Sequence, residues 1–182
     1  MKVALTDVDE LFGALEAAGD VDDEDGLSIL DHSLQCAELL RASHPDDVAL
    51  QIAGLTHDLG WLSGLDVAHD VVGRDLVAPL LGDRISALVG GHVAAKRYLL
   101  ATDPSYRELL SARSEVTLTF QGGVMSAVEV ADFDRRSDRD DLVALRRADD
   151  AAKVRGQVGP GPDSWRAAVE DMASKSRRVI RS

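Results

Sequence analysis

The sequence lacks several features, and each absence excludes a class of protein. Cys36 is the only cysteine among 182 residues, so no internal disulfide can form and a reducing compartment is expected. No stretch reaches the roughly 18 consecutive apolar residues of a membrane span. The N-terminal sequence MKVALTDVDELFGAL carries acids within its apolar run, which is not typical of a signal peptide. We therefore expect a soluble, cytoplasmic protein.

The chain also lacks an excess of basic residues. Its formal net charge is −12, which argues against a general nucleic-acid binder because a polyanion would be repelled. This charge does not exclude a small anionic substrate held in a local basic pocket. We expect neither a nucleic-acid nor a membrane partner, and the sequence leaves the oligomeric state open. The length suits one domain spanning residues 1–182.

Glycine and proline clusters are sparse, which excludes a strand-rich fold, and apolar residues recur at helical spacing along most of the chain. Ser28 is a candidate N-cap, with Asp31 at the acidic third position of the helix that follows. Residues 114–123 are ambiguous, because they combine a strand-like alternation with a final pair of glycines. The predicted helices cover about residues 5–17, 28–42, 46–58, 73–81, 83–100, 104–113, 126–133, 138–156 and 163–180.

Four of the five histidines lie in or beside apolar helical stretches, whereas His44 precedes a proline in a polar turn and is expected at the surface. His57 and Asp58 are adjacent and offer the imidazole and carboxylate that borderline metals bind. Adjacent helical residues point about 100° apart, so one ion could be shared only at an irregular helix end. Gly60 makes such an end plausible. A second His-Asp dipeptide, at 69–70, shows that the dipeptide alone is weak support.

The wider pattern resembles the HD-domain metalloprotein superfamily, an all-helical group that binds one or two metals through H…HD…(H…H)…D. Three strings resemble, more narrowly, the HD-domain oxygenases of organophosphonate breakdown: LDHSLQCA (30–37), GGHVAAKRYL (90–99) and LRRADDAAK (145–153). The resemblance covers residues 28–156, and it implies an all-α helical bundle followed by a C-terminal helix at about 163–180. The positions that match the superfamily's ligands are His32, His57, Asp58, His69, His92 and Asp149.

The resemblance implies a mixed-valent diiron centre with one ferrous and one ferric ion. His32, His57, Asp58 and Asp149 would hold the first iron, and Asp58 would bridge to a second iron completed by His69 and His92. His57 and Asp58 are accordingly the expected catalytic residues. Asp149 is preferred to Asp150, because it stands four residues before Lys153 as the family's last ligand does.

The same resemblance implies a phosphonate site formed by Lys96, Ser114, Thr117 and Arg146. Lys96 lies four residues after His92 and Arg146 lies three residues before Asp149, so each shares a helix face with a ligand. A phosphonate dianion requires donors and positive charge, which a guanidinium and an ammonium provide. An ordinary solvated helix face is the alternative reading for Lys96 and Arg146.

The sequence departs from the family at three positions near the expected substrate. Trp61 stands where a relative has a histidine, and Asp22 and Asp25 stand where it has a tyrosine and a glutamate. Asp25 and Trp61 are still expected to contact substrate, since a carboxylate and an indole face both attract a cation such as a methylated ammonium. Plain core packing is the alternative for Trp61.

The activity that the resemblance implies is oxygenation. O2 is the cosubstrate, and cleavage of the C–P bond of a 1-hydroxyphosphonate gives phosphate and a carboxylic acid. The sequence leaves two alternatives open. One is a metal-dependent HD-domain phosphohydrolase that acts on a small phosphate ester, and the other is a non-catalytic metal- or phosphonate-binding module.

Overall fold

The computed structural model describes residues 4–22, 26–64, 68–157 and 159–180, and in these ranges it contains helices and no strand. This confirms the predicted all-α class. The α-helices are α1 (Val8–Ala18), α2 (Ile29–Ser43), α3 (Val48–Thr56), α4 (His69–Thr102), α5 (Ala112–Phe120), α6 (Ala127–Asp134), α7 (Arg139–Ala151) and α8 (Arg166–Ile180), with 3-10 turns at Leu59–Ser63, Tyr106–Leu109 and Pro162–Trp165.

Helix starts follow the capping residues in the sequence. The Ser28 hydroxyl accepts a hydrogen bond from the backbone N–H of Asp31 at 3.0 Å, which confirms the predicted cap of α2. Asp7, Asp47 and Ser126 cap α1, α3 and α6 in the same way. Because Asp7 provides the cap, α1 begins at Val8 rather than near residue 5.

Two helices predicted at 73–81 and 83–100 form the two halves of α4. Gly82 separates them with φ 79° and ψ −177°, a backbone conformation that side chains with a Cβ rarely adopt. A Cβ at this position would also lie 2.8 Å from the Ser176 hydroxyl of α8. Gly82 therefore sets the angle between the halves and gives α8 room to pack against them.

The core lies where α2, α3, α4 and α7 pack against one another, and α1 and α8 cover one side. Fully buried leucines and isoleucines from these helices fill it, including Leu50, Ile52, Leu55 and Leu88. Within the described ranges, no helix has the length and apolar character needed to cross a bilayer.

Other parts of the chain also differ from the sequence-based prediction. The stretch 104–113 contains a 3-10 turn at Tyr106–Leu109 and the first residues of α5 rather than a helix of its own. The ambiguous stretch 114–123 is largely helical because Ser111 caps α5. Helix α7 ends at Ala151, not near residue 156. It ends there because side chains of α2 bind the next carbonyls: His32 contacts that of Ala152, and Gln35 donates to that of Val154.

Candidate metal centre

Six potential metal ligands converge from four parts of the fold on one point inside the bundle. The four histidines are each at most 4% exposed and Asp149 is 5% exposed, so they are deeply buried. His32 comes from α2, and Asp149 comes from α7. His69 is the first residue of α4, and His92 lies in the middle of the second half of that helix. His57 and Asp58 follow the last turn of α3, at the irregular helix end expected from the sequence.

The first group of donors consists of His32, His57, Asp58 and Asp149. The Nε2 atoms of His32 and His57 are 3.2 Å apart, and Asp149 Oδ1 lies 3.2 Å from the former and 3.8 Å from the latter. Asp58 Oδ2 is 3.6 Å from His32 Nε2 and 3.4 Å from His57 Nε2. Donors bound to one ion at about 2.1 Å lie roughly 3.0–3.4 Å from one another, so this spacing suits a metal.

The second group consists of His69 and His92 together with the other oxygen of Asp58. The two Nε2 atoms are 3.0 Å apart, and Asp58 Oδ1 is 3.5 Å from His69 Nε2 and 3.7 Å from that of His92. Asp58 thus directs one carboxylate oxygen to each histidine pair. Two groups, His32–His57–Asp58 and Asp58–His69–His92, each have the spacing of a metal site, which supports the bridging position expected for Asp58.

Backbone carbonyls orient three of these imidazoles. The Nδ1 atoms of His32, His57 and His92 lie 2.7–2.8 Å from carbonyl oxygens, so each ring donates its Nδ1–H and directs Nε2 at the centre. The Nε2 atoms of His32 and His57 are therefore directed at each other, an arrangement that favours a proton or a metal ion between them. The carbonyls belong to Ala152, Gly54 and Val89, respectively.

The electrostatics of the cluster favour a bound cation. Burial lowers the pKa of His69 and of His92 to about 4, and a neighbouring histidine adds to the shift in each case: His92 for His69, and His57 for His92. Both rings therefore favour the neutral form that binds metals. Burial opposes ionisation of Asp58, yet the positive charge of His57 holds its pKa well below the usual range. Burial likewise opposes protonation of His57, but Asp58 and Asp149 raise its pKa. The carboxylates thus stabilise positive charge at the position where a metal would bind, and the donor set fits a metal.

The position of His69 depends on Gly60 and Ala68. A Cβ at Gly60 would lie 1.8 Å from the His69 carbonyl oxygen, so only glycine lets these two backbone segments approach. Ala68 has φ 76° and ψ 28°, a left-handed conformation that costs free energy for a residue with a Cβ. Among the described residues, no partner contacts the buried His69 Nδ1. Close backbone packing at Gly60 therefore places His69.

The expected phosphonate residues lie together at one end of this cluster. Lys96 Nζ donates to the Thr117 hydroxyl at 3.1 Å and to the Ser114 carbonyl at 3.3 Å, and Arg146 Nη2 is 3.5 Å from the Ser114 hydroxyl. Lys96 is 2% and Arg146 4% exposed, so the alternative of a solvated helix face is wrong for both. Helix α5 brings Ser114 and Thr117 over α4 and α7, which the ambiguous 114–123 pattern could not predict.

Tyr106 and Asp150 hold Arg146 in place, and no pattern in the sequence pointed to Tyr106. Arg146 Nε donates to the Tyr106 hydroxyl at 2.8 Å, Nη1 donates to Asp149 Oδ2 at 2.8 Å, and Nη2 donates to Asp150. The Tyr106 hydroxyl in turn donates to Asp150. Asp150 is thus a buried partner of Arg146, while Asp149 faces the histidines as expected.

A small cavity of about 80 Å³ joins the ligands to these cations. Its lining includes His32, Asp58, Lys96, Arg146 and Trp61. Typical small-molecule pockets measure about 300–1,000 Å³, so this one suits a compact ligand. Asp22 also lines the cavity, whereas Asp25 lies outside the described residues.

Trp61 has two close neighbours at the wall of the cavity. Its indole stacks on His69, with ring centroids 4.2 Å apart and an interplanar angle of 16°. The guanidinium carbon of Arg113 lies 4.3 Å from the indole centroid. Trp61 therefore packs against His69, a proposed metal ligand, and also makes a cation–π contact with Arg113. Both expectations for Trp61, packing and contact with a cation, thus apply, but the cation belongs to the protein. Arg113 was not singled out from the sequence.

We expect the two groups of donors to differ in metal affinity. The His69–His92 group has three protein donors, and His69 lacks a described outer partner, whereas the other group has four donors. The variant His92→Ala should therefore retain about one ion per chain and lose most of the second. Its affinity for the second ion should fall by roughly 10- to 100-fold or more, as is typical when a ligand shell is weakened. Plasma emission spectroscopy after desalting measures this. Loss of both ions at once would contradict the division into two groups.

Comparison with known proteins gives three similar sequences. The chain is 31% identical to the hydroxymethylphosphonate dioxygenase of Gimesia maris, over 93% of this chain and 89% of the relative. It is 32% identical to the glycine-betaine-forming [1-hydroxy-2-(trimethylamino)ethyl]phosphonate dioxygenase of Leisingera caerulea, over 82% of this chain and 81% of the relative. An uncharacterised protein of Acanthamoeba polyphaga mimivirus is 27% identical over 83% of this chain and 74% of its own length. No family model matches the chain.

Proposed function

This chain belongs to the phosphonate dioxygenase family, and on that premise we propose that it uses O2 to cleave the C–P bond of a 1-hydroxyphosphonate. One observation supports the proposal most strongly: residues of both metal-ligand groups and the buried cations Lys96 and Arg146 line the same small cavity. The overall change is balanced, because a 1-hydroxyphosphonate and one O2 contain the atoms of one carboxylic acid and one phosphate.

We propose that the metals are two iron ions, held by His32, His57, Asp58 and Asp149 on one side and by Asp58, His69 and His92 on the other. Imidazole and carboxylate donors in this mixture suit iron. When bound, iron would supply the redox chemistry that allows O2 to react with an organic substrate. Asp58 would keep the two ions adjacent, and the Nδ1 hydrogen bonds would keep the rings of His32, His57 and His92 oriented.

The phosphonate group would bind at the cationic end of the cavity. Lys96 and Arg146 would contribute charge, and the hydroxyls of Ser114 and Thr117 would donate further hydrogen bonds. Because Arg146 is already fixed by Tyr106 and Asp150, little side-chain freedom is lost when it binds substrate. The phosphonate held there would leave C1 and its hydroxyl directed towards the ligand cluster, which lines the same cavity.

The phosphohydrolase alternative is not favoured, because both named relatives are dioxygenases. An experiment that distinguishes the oxygenase from the phosphohydrolase requires the iron-loaded protein, prepared anaerobically with ferrous iron. We expect phosphate release from 1-hydroxyphosphonates, with hydroxymethylphosphonate as the first compound, only after O2 is added. A phosphate monoester of the same size serves as the control. Phosphate release from the ester without O2, and none from any phosphonate, would contradict the proposal.

Substrate affinity should fall at alkaline pH. Burial, followed by the nearby Arg146 charge, lowers the pKa of Lys96 to about 8. The ammonium form binds the phosphonate, so affinity is complete below about pH 8 and is lost as pH rises through this value. The dissociation constant should increase by up to about tenfold per pH unit until the higher pKa of the complex is reached. Titration calorimetry between about pH 7 and 10 measures this.

The variant Lys96→Arg is the matched control for the pH experiment, since arginine keeps its charge throughout the range. We expect its dissociation constant to stay nearly flat with pH. An equal alkaline loss in this variant would assign the titration to another group and would contradict the role of Lys96.

A further inference from the structure

The contact between Arg113 and Trp61 at the cavity has no role in the proposed reaction. Arg113, near the start of α5, places its guanidinium over Trp61 at 4.3 Å, and the same indole stacks on His69. A cation–π contact of this kind is attractive, and the attraction is stronger where water is excluded. Arg113 is only partly exposed and lines the cavity. The indole that could have attracted a substrate cation is thus already in contact with a cation of the protein.

The other charged residues that line the cavity also disfavour a positively charged substrate group. Among the described lining residues, four are basic: Lys96, Arg113, Arg146 and Lys153. Two of the three acidic lining residues, Asp58 and Asp149, belong to the proposed ligand set, which leaves Asp22 as the acid in this group that is available to substrate. Lys153 lies near the same end, with Nζ 3.2 Å from the Ser111 hydroxyl. Such a lining attracts an anion and disfavours a second positive charge beside it.

From these two observations we infer that Arg113, held against Trp61, is a specificity-determining residue that excludes substrates with an ammonium group beyond C1. The substrate class is therefore a small 1-hydroxyphosphonate whose remaining substituent is uncharged. This inference rests on the proposed function, since it concerns the same cavity. It differs from the expectation of a cationic substituent, which rested on Asp25 in the acidic loop and on an open indole face at Trp61.

The size of the cavity is consistent with this class. A trimethylammonium group is both charged and bulky, and the cavity of about 80 Å³ must also hold the phosphonate and the hydroxyl. Because size alone would select against bulk, charge has to be tested with ligands of equal size. A methyl and a protonated amino group form such a pair.

The experiment compares binding of 1-hydroxypropylphosphonate and 2-amino-1-hydroxyethylphosphonate, which differ by CH3 against NH3+ at one position. Titration calorimetry is done without O2 on the iron-loaded protein at pH 7. We expect the methyl compound to bind about tenfold or more tightly. In Arg113→Met the difference should fall to about threefold or less, and in Arg113→Lys it should persist because the charge is kept.

Arg107→Met is the matched control. Arg107 is a neighbouring exposed arginine that pairs with Glu115 and does not line the cavity, so the variant should keep the wild-type preference. Circular dichroism checks that each variant is folded. If Arg113→Met does not fold, the wild-type comparison and Arg113→Lys still decide the outcome. Equal or tighter binding of the ammonium compound to the wild-type protein would overturn the inference, and so would an unchanged preference in Arg113→Met.

Binding without O2 tests the role of Arg113, whereas O2-dependent phosphate release tests the proposed oxygenase activity. A preference for the methyl compound without O2-dependent phosphate release would refute the oxygenase activity and leave the charge selection by Arg113 intact. Phosphate release from both compounds with equal affinity would support the oxygenase activity and overturn the role of Arg113.

Discussion

Replacement of Asp58 by alanine is expected to lower the metal content from about two ions per chain to well below one. Asp58 is the one proposed ligand that faces both histidine pairs, at 3.4–3.7 Å from their Nε2 atoms. Without its two oxygens, each pair loses an anionic donor, and no negative charge remains between the ions. Metal analysis after desalting measures the loss. Because metal that binds the folded state stabilises it, ferrous iron should raise the melting temperature of the wild-type protein but not of Asp58→Ala.

Asp70→Ala is the matched control for this variant. Asp70 belongs to the second His-Asp dipeptide of the chain, but it lies outside both groups of converging donors. We expect Asp70→Ala to bind about two ions per chain. Two ions per chain in Asp58→Ala would show that the bridging assignment is wrong.

The second large effect is expected for Arg146→Met. This arginine is buried and joins Asp149, Asp150, Tyr106 and Ser114. Removing one partner of a buried ion pair costs about 3–5 kcal/mol, because the remaining charge has no compensation. For a chain of this size, that corresponds to a melting temperature lower by on the order of 10 °C. The lost charge-assisted contact should also weaken phosphonate binding by roughly 10- to 100-fold.

The double variant Arg146→Met/Asp150→Asn separates these two effects. It removes the unpaired carboxylate, so part of the lost stability should return, whereas phosphonate affinity should stay low. Differential scanning calorimetry and titration calorimetry provide the two measurements. Recovery of phosphonate affinity in the double variant would mean that Arg146 acts on stability and does not contact substrate.

The sequence predicted the fold class from local patterns, and it predicted the ligand cluster through its resemblance to the HD-domain superfamily. Apolar residues at helical spacing gave the helices, and Ser28 marked the start of α2. The ligands were found from the order of His32, His57–Asp58, His69, His92 and Asp149, and the structure brings all of them together. The roles of these residues in binding iron stay a prediction.

Contacts between distant segments could not be predicted in this way. Tyr106 reaches Arg146 across 40 positions, and Arg113 reaches Trp61 from another helix, so no spacing rule applies to either. The stretch 114–123 had a strand-like pattern although it is largely helical, and the reason is a different one. Its alternating apolar residues suggested one buried face, but Val116 and Phe120 are 63% and 68% exposed and only Leu118 packs inside. Alternation without burial carries no information about a strand.

If this chain couples O2 consumption to cleavage of the C–P bond, the amounts of O2 consumed and phosphate released must rise together. The measurement uses the iron-loaded protein, an uncharged 1-hydroxyphosphonate, an oxygen electrode and a phosphate assay on the same sample. The overall reaction predicts about one O2 consumed for each phosphate formed. Phosphate released at the same rate without O2, or O2 consumed without any phosphate, would contradict the account.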